Sequence, residues 1–257
     1  MNPVRNMILA LLLSVANVTT SAQSALSAPP DARFEVATIK PGIPGENHGI
    51  RFLVSFTRVD TLNTSVSDLL KYAYGLHGDQ IVGGPDSLMH QGYAINAVVS
   101  ADTPTKPNAD LLKQMLRNLL ADRFGLVFHA GTRELPVYLL TAENPHLTAT
   151  KQELTMTTGG YSPGLLTVNH GGPPELAAYL QRFVTSRPVL DKTGIAGSYD
   201  MEIHFAPDDT SANSNAATLE NPGLFTAIRQ QLGLKLTAAK APTPVIIIDK
   251  VTEPTAN

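Results

Sequence analysis

The sequence has no cysteine and no tryptophan, and its charges nearly cancel, with 19 Lys and Arg against 22 Asp and Glu. Without cysteine there can be no disulfide, thiol nucleophile, Cys-ligated zinc or Cys-linked lipid anchor. A net charge of −3 leaves no basic footprint for nucleic acid or anionic lipid. Aromatic residues make up 6% of the chain, which argues against a sugar-stacking lectin without excluding one. Long apolar runs are missing too, except at the N-terminus. There Arg5 precedes the apolar run Met7 to Val18, and small residues follow. This pattern reads as an export signal over residues 1–22, cleaved after Ala22, with Ala25 and Ala28 as rival sites. The run is shorter than the roughly 20 residues a membrane span needs. The expected location is therefore periplasmic or secreted, with no membrane span after signal removal. An exported chain without disulfides must draw its stability from packing.

Removing residues 1–22 leaves 257 − 22 = 235 residues, ample for a hydrophobic core. Residues 23–33 read as a linker. Phe34 to Lys40 alternates as a strand, and Ser65 or Ser67 is placed to cap a helix ending at Gly75. Asn108 caps a helix over Ala109 to Phe124, stopped by Gly125. A pair of strands, Leu126 to Ala130 and Pro136 to Thr141, follows, with Arg133-Glu134 at the hairpin turn between them. The same unit returns 108 residues later. Leu116, Leu120, Phe124, Gly125, Leu126, Phe128, Pro136 and Val137 fall on Leu224, Ile228, Leu232, Gly233, Leu234, Leu236, Pro244 and Val245. Residues 66–99 match the second half less cleanly. A helix at Pro173 to Phe183 turns Leu176, Leu180 and Phe183 inward. Each half, 34–145 and 146–251, reads β-α-β-β-α-β-β. The expected fold is α+β with an internal duplication, its helices packed on mostly antiparallel or mixed sheets. Residues 206–221 read as a mobile loop and 252–257 as a polar tail.

Several motifs resemble catalytic ones and fail on physical grounds. Gly160-Tyr161-Ser162-Pro163-Gly164 has the G-x-S-x-G spacing of a nucleophile elbow. The residue after Ser must supply an oxyanion N–H, and Pro163 has none. Asp191-Lys192-Thr193-Gly194 resembles the phosphorylated motif of ion pumps but makes a good turn, and the chain has no membrane domain. The seven histidines form no metal-binding helical pair, and His129 and His204 read as half-buried strand residues. Gly83-Gly84-Pro85-Asp86 is a tight turn without a phosphate-loop Lys. Asp208-Asp209 falls in the loop, and Asn63-Thr64-Ser65 fits an N-glycosylation sequon. No catalytic, metal or cofactor-binding set emerges, and no cofactor is expected. The residues left as binding-loop candidates are Gly83, Gly84, Pro85, Asp86, Arg133, Glu134, Asp191 and Lys192.

Four stretches taken together carry a family resemblance. They are Phe34 to Pro41; Leu69 to Gly75 with Gln80 to Asp86; Leu119 to Leu126 with Thr132 to Tyr138; and Val189 to Gly194 with Gly197 to Asp200. The chain resembles a soil-associated family of exported bacterial proteins, a domain of unknown function abundant in acidobacteria. Family members carry a Trp soon after Gly-Gly-Pro-Asp, where this chain has Ser87. Related domains occur fused to membrane metallopeptidases of the antibiotic-sensor type, which implies an extracytoplasmic sensing or interaction role. The partner expected is an envelope protein or a small cell-wall-derived ligand. The alternative is a periplasmic hydrolase whose site is assembled from separate loops, with Ser162, Asp191 and the histidines as raw material.

Overall fold

The computed structural model describes residues 31–43, 49–52, 57–103, 108–151, 157–207 and 221–255. The signal at 1–22, most of the 23–33 linker, His48, Asp208-Asp209 and nearly all of the 206–221 segment lie outside these residues. The first half contains strands β1 (Val36–Pro41), β2 (Gly49–Phe52), β3 (Arg58–Leu62), β4 (Thr64–Ser65), β5 (Ile81–Gly83) and β6 (Gly92–Val98). Helices α1 (Val66–Tyr74), α2 (Asp86–His90) and α3 (Ala109–Phe124) lie among and after them, and β7 (Val127–Ala142) follows α3. The second half contains β8 (Thr148–Ala149), β9 (Thr158–Ser162), β10 (Leu165–Gly171), α4 (Pro173–Phe183), β11 (Val189–Asp191), β12 (Tyr199–His204), α5 (Leu224–Leu232) and β13 (Leu234–Lys250). The fold is α+β, with antiparallel and mixed sheets. Among the described residues no helix is long and apolar enough to cross a membrane.

Three sheets form. One outer sheet runs β1-β6-β3-β2, with β4 also on β6, and the other runs β8-β12-β10-β9. The central sheet, β11-β7-β13-β5, exchanges its edges between the halves. β5 from the first half lies parallel on β13, with Ile81 opposite Ile246, and β11 from the second lies parallel on β7, with Val189 opposite Tyr138. Both members of one pair are shifted from the other by 108 residues (189 − 81 and 246 − 138). The hydrophobic cores follow this exchange. Helices α1 and α3 pack with Val59, Tyr93 and Ile95 and with Ile246, Ile248 and Val251 from the far end of the chain. Helices α4 and α5 pack with Val168, Met201 and Ile203 and with Leu140 from β7.

Strands β7 and β13 correct the expected pairs of shorter strands. Arg133 and Glu134 do not turn a hairpin. They lie mid-strand in β7, opposite Thr243 and Pro242 of β13. The prolines were misleading because of where their nitrogens point. Tyr138 gives its N–H to the Pro188 carbonyl of the β11 side, and the Leu140 carbonyl accepts from Lys192. Even-numbered residues of β7, and their even-numbered partners in β13, therefore face away from the β7–β13 ladder. Pro136, Pro242 and Pro244 are all even, so none of them removes a bond between the two strands.

The helix signals are sound. Asn108 accepts the Leu111 N–H at 2.9 Å, and Leu112, Met115, Leu116, Leu119, Leu120 and Phe124 are buried. Gly75, Gly125 and Gly233 end their helices at φ of 68, 57 and 66°. Helix α5 starts at Leu224, the residue that matches Leu116 of α3. Helix α2, the Gly-rich edge strand β9 and the two-residue strands β4 and β8 go beyond the sequence reading. Among the described residues, the two non-glycine residues with positive φ, Asn63 at 48° and His170 at 53°, stand just before α1 and α4. Each turns a strand into the helix that follows. Asn63 is buried and its amide packs against Gly42 and Gly92, so the sequon is not presented to solvent.

Ser65 caps α1 reciprocally. Its hydroxyl accepts from the Asp68 N–H, and the Asp68 carboxylate accepts from the Ser65 N–H. Burial pushes the Asp68 carboxyl up, but hydrogen bonds from Lys71 and Ser65 outweigh it and hold the group below its ordinary value. A carboxyl depressed in the folded state stabilises the fold above its unfolded pKa, and that contribution is lost as pH falls through the folded value. Asp68→Asn should therefore flatten the loss of stability on acidification below about pH 5, read by urea unfolding across pH. A second prediction separates two stop glycines. A Cβ at Gly75 would meet nothing within 4 Å, whereas one at Gly233 would meet the Asn144 carbonyl and the His146 ring. Gly75→Ala should cost about 1–2 kcal/mol, the left-handed backbone penalty alone, and Gly233→Ala distinctly more in the same urea assay.

Candidate functional site

The structure keeps the sequence-predicted loop residues apart. Gly83 and Gly84 take φ of 81 and 86° at the end of β5. Pro85 precedes α2, whose first residue Asp86 pairs with His90 at 3.1 Å. Asp191 and Lys192 lie at the end of β11, on the opposite edge of the central sheet. The Asp191 carboxylate accepts the Thr193 N–H at 2.9 Å, the local bond of an Asp turn. Gly83 is opposite Ile248, which pairs with Phe128, and Asp191 is opposite Leu140. The two loops are thus separated by 140 − 128 = 12 residues of β7, about 40 Å at ~3.3 Å per residue. Arg133 and Glu134 lie between them, exposed, in the middle of the ribbon.

The residues with chemical potential are held singly. Ser162 ends β9, and Pro163-Gly164 turns the chain into β10, a hairpin rather than a strand-to-helix elbow. His129 and His204 are exposed by 57% and 52%, not half-buried, and pair with Asp249 at 2.9 Å and Glu202 at 2.6 Å. His77 caps a short 3-10 turn by accepting the Asp79 N–H, and His146 meets the Gln230 carbonyl. His170 donates its backbone N–H to Asp200. Among the described residues no group of three or more His, Asp or Glu could hold a metal ion. A groove between Arg33-Phe34 and α3 encloses about 220 Å³, crossed by the Arg33–Asp122 bridge at 2.7 Å. That is below the roughly 300 Å³ at which ligand pockets begin.

A different surface gathers the scarce aromatics. Tyr179, Arg182 and Phe183 stand three and four residues apart on one face of α4. Phe183 is not inward as the helical spacing predicts. It is 36% exposed and stacks on Tyr161 of β9, 41% exposed, with centroids 5.9 Å apart and planes within 6°. Tyr179 leans on Phe183 at 5.8 Å. The Arg182 guanidinium lies 4.7 Å from the Tyr72 ring of α1 and 4.8 Å from the Phe183 ring. β9 comes this close to α4 because Gly159 has no side chain. A Cβ there would strike the Thr167 carbonyl and the Tyr179 ring. Gln181 fastens the ledge from behind, donating to the Gly75 carbonyl at 2.7 Å and accepting the Val189 N–H at 3.1 Å.

The electrostatics suit stacking rather than proton transfer. Burial pushes the Tyr72 phenol well above its ordinary value, only partly opposed by Arg182, and burial also raises Tyr179. Burial lowers the Arg182 guanidinium, but arginine is the side chain least able to lose its proton and stays charged. The ledge thus offers neutral rings and one fixed cation. Sequence reading missed it because Tyr161 sat inside a rejected motif and Phe183 continued an apolar helical face. The available signal was the Gly159-Gly160 pair before Tyr161, which marks a close backbone approach. Arg182 over Tyr72 also joins α4 to α1. A double-mutant cycle of Arg182→Met and Tyr72→Leu should return a coupling of about 0.5–2 kcal/mol by urea unfolding.

The comparisons with known proteins agree with the early resemblance at a coarser level. No curated protein and no solved structure matches the chain significantly. A family model described as a protein of unknown function, DUF3738, matches residues 67–251, from the start of α1 to the end of the ribbon. The chain belongs to the DUF3738 family, a family of unknown function.

Proposed function

We propose that this protein is an exported, non-enzymatic binding module of the cell envelope, formed by duplication of one α+β half. The Tyr161–Phe183–Arg182 ledge serves as its contact surface. The observation that carries this reading is a parallel pair of exposed rings beside a fixed guanidinium. Flat aromatic faces bind apolar ring faces without needing a deep pocket, and Arg adds directional recognition of a carboxylate. A small cell-wall fragment, with flat sugar faces and carboxylates, has that chemistry. Export follows from the signal over residues 1–22, and the extracytoplasmic sensing role implied by the family resemblance fits the same place.

The test is thermal unfolding of the chain from Gln23 onward against cell-wall fragments, peptides, β-lactams and metals. A ligand present at a hundred times its Kd should stabilise the native state by about 2.7 kcal/mol. Wall fragments should raise the Tm, and Tyr161→Ala with Phe183→Ala should abolish the shift without changing the far-UV circular dichroism. A shift that survives both substitutions would place the contact elsewhere. Steady turnover of any fragment would replace this reading with the loop-assembled hydrolase.

A further inference from the structure

The central ribbon has two outer edges, and among the described residues each is covered over three positions only. β11 covers β7 at Tyr138, Leu139 and Leu140, and β5 covers β13 at Ile246, Ile247 and Ile248. The remaining lengths differ at one matched position, although Ala238 and Lys240 of β13 also face outward with no backbone partner among the described residues. On β13 the outward positions next to β5 are Pro242 and Pro244. Neither has an N–H, and the Pro244 carbonyl is taken by Gln80 at 3.0 Å. On β7 the outward positions before Pro136 are Ala130, Thr132 and Glu134. Their N–H and C=O groups have no partner among the described residues, and all three residues are exposed. Glu134 stands 108 residues before Pro242. The first half therefore keeps a backbone donor at the position where the second half has removed it.

An open row of alternating donors and acceptors, repeating every two residues at about 6.8 Å, matches one kind of partner, an extended main chain. Side-chain charge narrows the choice. Arg133 is exposed and has no counter-ion among the described residues, while His129 on the same face already has Asp249. Glu134 points to the other face. These charges oppose three of the registers in which two β7 edges could pair about a two-fold axis, whereas the register centred on Thr132 sets Arg133 and Glu134 opposite Gly131 and Ala130, so a second copy is an outcome the test decides. The register centred on residue 133 sets Arg133 against its own copy, the one centred on 134 does so for Glu134, and the one centred on 131 sets Arg133 against His129. We infer that the free edge of β7 from Ala130 to Glu134 binds an extended peptide segment as an added β-strand, with acidic side chains on the Arg133 face. This site is independent of the aromatic ledge and stands or falls without it.

The probe is the acetylated and amidated peptide Val-Glu-Val-Glu-Val-Glu-Val, with a Lys-for-Glu version and two versions N-methylated at alternate amides, one in each frame. Binding is followed by fluorescence polarisation and by amide hydrogen exchange of the full chain. The Glu peptide should bind saturably and slow exchange at Ala130, Thr132 and Glu134 at least tenfold. One N-methylated frame should bind like the parent and the other at least tenfold more weakly, because only one edge of the added strand faces β7. Glu134→Pro copies the natural proline at the matching position of β13, and Thr132→Pro removes the neighbouring outward donor. Each should weaken binding at least tenfold, while Lys240→Pro on the other edge should not. Arg133→Glu should invert the preference between the Glu and Lys peptides. Equal binding of both N-methylated frames, or protection on β13 instead of β7, would overturn the inference. So would a dimer by sedimentation that Thr132→Pro dissolves, since the edge would then belong to a second copy. If a proline variant fails to fold, the exchange pattern and the N-methyl pair on the unaltered protein still decide the matter.

Discussion

The ladder between β7 and β13 is the constraint on which the rest of the molecule depends. It pairs residues 127–142 with 234–250 and passes through both hydrophobic cores. Each core closes with side chains from the opposite half, Ile246, Ile248 and Val251 in one and Leu140 in the other. The short strands β5 and β11 then dock on the ladder from outside, each crossing to the long strand of the other half. Without disulfides, this exchange of strands is what ties the halves together covalently distant but physically interleaved. The contacts between α1 and α4, Arg182 over Tyr72 and Gln181 on the Gly75 carbonyl, reinforce it from the helical side.

Helices α1, α3, α4 and α5 and the outer strand β1 were legible because their signals are local. Asn108, Ser65, Gly125 and Gly233 act within a turn of chain, and the buried face of α3 repeats at helical spacing. The length of β7 and β13 was not legible. Pro136 and the polar pair Arg133-Glu134 look like an interruption in any single strand. Whether a proline breaks a strand depends on which way its nitrogen faces, and that is fixed by a partner about a hundred residues away. The even spacing of Pro136, Pro242 and Pro244 was visible in the sequence, but its meaning needed the register.

The candidate site was less legible still. The loop residues chosen from the sequence do form turns, yet they are set at the two extremities of the ribbon. The ledge arises from three segments that carry no common motif: Tyr161 in an edge strand, Tyr179 to Phe183 in α4 and Tyr72 in α1. Phe183 followed the helical rule of the core, but it stands at the end of α4, where the helix has run past the second core and meets β9. The chemistry there depends on Gly159, a residue whose contribution is the absence of an atom.

The exchange of strands also bears on the order in which the chain can become folded. A ribosome delivers this chain N-terminus first, and α1, α3 and the β1-β6-β3-β2 sheet are complete by residue 124. Their core nevertheless stays open until Ile246, Ile248 and Val251 arrive. The contact that closes the first half spans more than a hundred residues, and contacts of that separation are slow to form. For most of its synthesis the chain therefore carries one nearly finished hydrophobic layer with its lid still unmade. That is a state suited to being held unfolded by another factor, and it commits to its structure only with the final strand.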